Sequence, residues 1–134
     1  MGERYEAQIG IESRVGAEAF DQTVNGVVYR KLGRWYLRYE ETDDEGGITS
    51  TVIKFGDHEW TVRRSGIVQS NMTFAMDRAF EGYYRSAGIE LTVTTVMRSS
   101  RFELESGKGV ISWDYDLFIS GESAAQHSLT FRIS

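Results

Sequence analysis

Two long runs of strict alternation, Ile89 to Met97 and Val110 to Ile119, constrain this chain more than any other feature. In the first, Ile89, Leu91, Val93, Thr95 and Met97 share one face while Glu90, Thr92, Thr94 and Arg98 share the other. In the second, Ile111, Trp113, Tyr115, Leu117 and Ile119 alternate with Ser112, Asp114 and Asp116. A helix would scatter the acids among the aromatics, whereas a half-buried strand separates them with period two. The runs predict an antiparallel hairpin joined by the polar, glycine-containing segment Arg101 to Gly109, with Leu91, Val93, Trp113 and Tyr115 buried and Glu90, Asp114 and Asp116 exposed.

The same alternation recurs along the chain. Tyr5, Ala7, Ile9, Ile11 and Val15 alternate with Arg4, Glu6, Gln8, Glu12 and Arg14, which puts Ile9 and Ile11 in the core and Glu6 and Glu12 outside. Further strands are expected over about Phe20 to Lys31, with Gly26 as a bulge or bend, then Trp35 to Thr42, Ile48 to Phe55, and Trp60 to Arg64 with Ser65-Gly66 ending it. The run Ile67 to Ala75 carries Val68, Met72 and Phe74 on one face, interrupted by Ser70. Asp77 to Gly82 admits either a helical turn capped by Asp77 or the start of a strand, and Tyr83 to Ala87 is read as strand. Gln126 to Ile133 is the last.

About ten strands joined mostly by short turns favour a meander. Open edges in so long a sheet invite aggregation, and closure removes them. The expected fold is therefore all-β: a closed or nearly closed antiparallel up-and-down barrel of about ten strands, with a two-sheet sandwich as runner-up. The length of 134 residues suits one domain spanning the whole chain. The absence of Pro leaves every strand its backbone donors, and 14 Gly supply the turns.

Composition narrows the function classes. With 15 basic against 20 acidic residues the net charge is -5, the wrong sign for a phosphate backbone, so no nucleic-acid partner is expected. Zero Cys removes disulfides, thiolate nucleophiles and sulfur-ligated zinc. The charged start Met1-Gly2-Glu3-Arg4 lacks the apolar core of a signal peptide, and no apolar run reaches the roughly 20 residues that span a bilayer. A cytoplasmic protein with no membrane partner is the expectation.

Tyr36-Leu37-Arg38-Tyr39 with Glu41, Arg64-Ser65-Gly66, Phe74, Gly88-Ile89-Glu90-Leu91, and Gly109-Val110-Ile111-Ser112 with Tyr115-Asp116 resemble, in this order, the YwiB-like family of small bacterial proteins. The likeness covers nearly the whole chain. It implies a lipocalin-like, or calycin, barrel in a cytoplasmic protein of uncharacterised function, and it implies no catalytic residues.

Strand parity sharpens the search for a site. In an up-and-down barrel odd strands end at one rim, so Glu41, closing the third strand, and Arg64, closing the fifth, meet there about 10 Å apart at the backbone. Both continue inward faces. An inward Arg needs an acceptor; Glu41 supplies it as a structural ion pair, or Arg64 anchors a ligand carboxylate or phosphate. The ligand reading has Arg64 anchor an anionic head that displaces Glu41, the residue holding Arg64 when the site is empty, with Trp35, Tyr39, Trp60 and Met72, beside Leu37 and Val62, lining an apolar interior. His127 falls at the Arg64 rim, as a general base or as an exposed side chain, and His58 at the other rim, so no shared metal site and no cofactor are expected. A small amphipathic ligand leads; a protein-interaction module or homodimer with a filled barrel competes; an enzyme is third, because no residue pattern assigns a nucleophile and its base.

Overall fold

The computed structural model describes residues 3–134 and contains no helix among them. Ten strands follow in order: β1 Arg4–Val15, β2 Glu18–Lys31, β3 Arg34–Thr42, β4 Ile48–Phe55, β5 Trp60–Gly66, β6 Gln69–Phe74, β7 Ala79–Ser86, β8 Ile89–Glu105, β9 Lys108–Ile119 and β10 Glu122–Ile133. Each pairs antiparallel with its neighbour in sequence, and β1 pairs with β10, so the sheet closes into a barrel. Inward residues meet at its centre. Trp113, Phe74 and Phe131 are almost fully buried together with Ile9, Leu37, Ile53 and Ile111. Trp113 stacks on Phe131 at 5.6 Å and meets the edges of Phe74 at 5.5 Å and Trp60 at 5.3 Å. This aromatic plug divides the interior into an upper and a lower part.

The opening hairpin is longer than its alternation suggests. Arg101 to Gly109 is mostly strand, and the turn is only Ser106-Gly107, both at positive φ (53° and 76°), the geometry of a two-residue hairpin loop. A bulge hides the continuation. Met97 pairs with Tyr115 and Ser99 with Asp114, which leaves Arg98 as an extra residue and shifts the inward side from odd to even numbers. Ser100 and Phe102 accordingly face the lower interior, while Arg98 outside bridges Asp116 at 2.8 Å and Asp77 at 3.1 Å.

One open stretch is settled, and four smaller expectations are corrected. The open stretch Asp77 to Gly82 is a turn followed by strand: Asp77 takes φ 55° and donates its amide to Met97 O, and β7 begins at Ala79. Ser70 does not interrupt its face but sits inward, 2% exposed, between Arg64 and Tyr84 in register. Gly26 carries no bulge. It marks a close approach, since a Cβ there would lie 2.5 Å from both Arg38 O and Ile9 Cδ1. Glu12, Asp114 and Asp116 face outward yet are half-buried, because neighbours cover them: Asp114 accepts from the Ser99 and Ser128 hydroxyls, and Glu12 pairs with Arg14. Leu91 is likewise only half-buried, and Ile89 stands exposed at the rim.

Candidate functional site

Below Gly26↔Tyr39 the strands β2 and β3 are hydrogen-bonded; above it they diverge, and the residues of β2 from Glu18 to Asn25 pair only with β1. Gln22 and Glu41 stand on either side of this opening. Gln22 Nε2 donates to Glu41 Oε2 at 2.9 Å, and Glu41 Oε1 accepts from Arg64 Nη2 at 3.4 Å. The Arg64 and Glu41 side chains are 29% and 24% exposed, so the pair is neither solvated nor sealed. At 3.4 Å the contact is loose for a charge-assisted hydrogen bond. A guanidinium has five N–H donors, and among the described residues this is the one side-chain bond that Arg64 makes.

The pair opens onto a cavity of about 480 Å³ whose floor is Ile53, Val62, Met72, Phe74 and Trp113. Two of its lining residues, Thr51 and Trp113, carry the only fully buried side-chain polar atoms without a hydrogen-bond partner among the described residues, Oγ1 and Nε1. The Thr51 hydroxyl lies close enough to the Tyr39 phenol to oppose the rise of its pKa, but Thr51 Oγ1 forms no hydrogen bond among the described residues. Burial pushes the Tyr39 phenol up to about 12, helped by the Glu41 carboxylate, and burial likewise pushes Tyr115 up to about 12. Both are neutral donors at any physiological pH. His127 stacks on Tyr115 at 5.1 Å, and burial lowers its pKa from 6.5, which favours the uncharged ring.

Beyond the aromatic plug a second opening, of about 690 Å³, is lined by Trp35, Phe55, His58, Trp60, Arg78 and Phe102 among others. Its rings pack on one another: Phe55 meets Trp60 edge-on at 5.1 Å, and Phe102 lies 5.3 Å from Phe55. The cations here are paired, the half-buried Arg34 with Asp57 at 3.0 Å and the exposed Arg78 with Glu59 at 3.7 Å.

Comparison with known proteins agrees with this architecture. The family described as a domain of unknown function, DUF1934, matches residues 6–131. The chain belongs to the DUF1934 family. It is 31% identical over 120 residues to the uncharacterized beta-barrel protein YwiB of Bacillus subtilis (strain 168), an alignment covering 90% of this chain and 84% of that protein. The crystal structure of the ywiB protein from Bacillus subtilis superposes with a TM-score of 0.87 at 26% identity, covering 98% of this chain and 92% of that one.

In this DUF1934 barrel the sequence-derived set of lining residues is split. Glu41, Arg64, Tyr39 and Met72 line the upper cavity, with Val62; Trp35 and Trp60 line the lower opening, on the far side of Trp113. Pointing inward does not fix depth. Trp60 and Arg64 share a face of β5 but stand four residues apart, about 13 Å along a strand. His127 shares the upper cavity with Arg64 and His58 the lower opening, and no cluster of three or more His, Asp or Glu with metal-binding geometry occurs among the described residues. Sequence reasoning missed Gln22, Thr51, Ser70 and Tyr84. Thr51 was within reach, because the Gly56 to Glu59 turn sets the β4–β5 register that pairs it with Arg64.

No helix of the described chain is long and apolar enough to cross a membrane, which says nothing of a barrel.

Proposed function

We propose that this DUF1934 chain binds a small amphipathic anion in the upper cavity, with the anion at Arg64 and the apolar part among Val62, Met72 and Phe131. The observation that carries the reading is Arg64 itself: a half-buried guanidinium at the mouth of a cavity, held by one carboxylate at 3.4 Å with most of its donors free for another acceptor. A cavity of this size falls in the range of small-molecule sites. Holding a ligand inside one mouth is also what a lipocalin-like barrel would do. Native mass spectrometry of freshly purified protein tests it: a bound small molecule is expected, and Arg64→Ala should lose it. Retention of the molecule by Arg64→Ala would remove the anchor.

A second reading has its own observation. Ile48, Ile67 and Ile89 are 52%, 54% and 58% exposed at the upper rim, and Ile67 and Ile89 border one shallow groove. A protein-interaction surface or homodimer built on these side chains would give a ligand-free dimer in the same experiment.

A further inference from the structure

The register of the sheet arranges the polar groups of the upper cavity in a way no single strand reveals. Tyr39 on β3 is opposite Thr51 on β4, Thr51 is opposite Arg64 on β5, Arg64 is opposite Ser70 on β6, and Ser70 is opposite Tyr84 on β7. Residues in register on adjacent strands project to the same face, and all five line the cavity. They form one polar band, perpendicular to the strands, across half the barrel wall. The next step, Tyr84 to Leu91, ends it. Across the cavity the wall is mostly apolar, with Val93, Leu117, Leu129, Phe131 and Ile11 and with Ser13, Tyr115 and His127 as its polar members, and the layer beneath the band, Ile53, Val62 and Met72, is apolar.

A linear fatty acid needs polarity only at the mouth, with apolar walls below it. Here polarity runs sideways from Arg64. Thr51, one strand away, is 0% exposed with Oγ1 unpartnered among the described residues. A buried hydroxyl in that state is relieved by a ligand oxygen on its side of the cavity and by nothing a hydrocarbon tail carries.

We infer that the ligand is a compact ring compound with its polar groups along one edge: an anion at Arg64, a hydroxyl or carbonyl oxygen at Thr51, and an apolar face against Leu117, Leu129 and Phe131. This rests on the reading of the cavity as an anion site. Neighbouring strands stand about 4.8 Å apart, which is also about the separation of meta substituents on a six-membered ring. A meta-hydroxy aromatic carboxylate has the matching chemistry.

Calorimetric titration of the full chain with four probes tests this: a naphthalene carboxylate with a hydroxyl meta to the carboxylate, its isomer with the hydroxyl on the far ring, the parent naphthoate, and decanoate. The meta compound is expected to bind about tenfold more tightly than the other three, the scale of one net hydrogen bond. Thr51→Val, which keeps the side chain's shape, should erase the meta compound's advantage over the parent naphthoate; should the variant not fold, the wild-type ranking decides alone. Equal binding of the three naphthoates, all lost in Arg64→Ala, would overturn the edge arrangement and leave the anion site standing. Tightest binding of decanoate would overturn it in favour of a linear ligand. Binding unaffected by Arg64→Ala, or no binding by any probe at millimolar concentration, would overturn the anion site and this inference together.

Discussion

The upper and lower mouths of the barrel are made by opposite ends of the same ten strands, and they differ in how their polar groups are satisfied. The lower opening is larger, yet its rings pack on one another and its arginines already hold carboxylate partners. The upper cavity is smaller but keeps a half-buried guanidinium on one loose contact and a fully buried hydroxyl on none among the described residues. Volume alone would select the lower one. Unmet hydrogen-bonding capacity selects the upper one, because burying a polar group without a partner costs more than leaving an apolar wall uncovered.

Removing the wall between the two mouths should have the largest effect. Trp113→Ala is expected to cost about 3 to 5 kcal/mol of stability, the range for truncating a buried Trp, and to merge the two spaces; chemical denaturation measures the first and a crystal structure the second. An arginine truncation at each mouth comes next. Arg64→Ala should weaken an anionic ligand by about 2 kcal/mol, whereas Arg34→Ala, breaking a surface pair, should change neither affinity nor stability by more than about 0.5 kcal/mol. Equal effects from the two would erase the contrast between the mouths. Glu41→Gln should tighten the same ligand by up to about 1 kcal/mol in calorimetry, since it removes a competing carboxylate from a half-exposed pair.

A further effect, absent at neutral pH, is an alkaline pH dependence confined to the upper mouth. Tyr39 and Tyr115 have phenols raised from 10.0 to about 12 in the folded barrel, so between those values the unfolded chain has released protons that the folded one keeps. Their contribution to stability is therefore whole below pH 10 and falls as the pH rises toward 12. Phenolate absorbance should show these two titrating last, and Tyr39→Phe should flatten the alkaline loss measured by denaturation at stepped pH. A Tyr39→Phe variant with the wild-type slope would assign the effect elsewhere.

Much of this was legible in the sequence, and the gaps have physical causes. Period two and the alternation of strand direction were enough to place Glu41, Arg64 and His127 at one mouth and His58 at the other, because both follow from backbone geometry alone. Trp35 and Trp60 were grouped with Tyr39 and Met72 because alternation reports which side of the sheet a residue faces and not how far along the barrel it lies. The extra residue at Arg98 hid the end of β8, since a bulge reverses the alternation without changing composition. Ser70 looked like a defect in an apolar face; only the register across three strands makes it part of a polar row.

One pairing in the barrel is unlike the other nine. Every other strand contacts its neighbour through a short turn, but β1 reaches β10 across the whole chain, with Ile9 opposite Ile133 and Gln8 exchanging backbone hydrogen bonds with Ser134. The nine local hairpins can zip in sequence at small loop-closure cost, and this seam must wait for all of them. Until it shuts, the chain is a curled ribbon with two sticky margins, so the speed with which β1 finds β10 sets how long each newly folded molecule stays able to join another copy instead of itself.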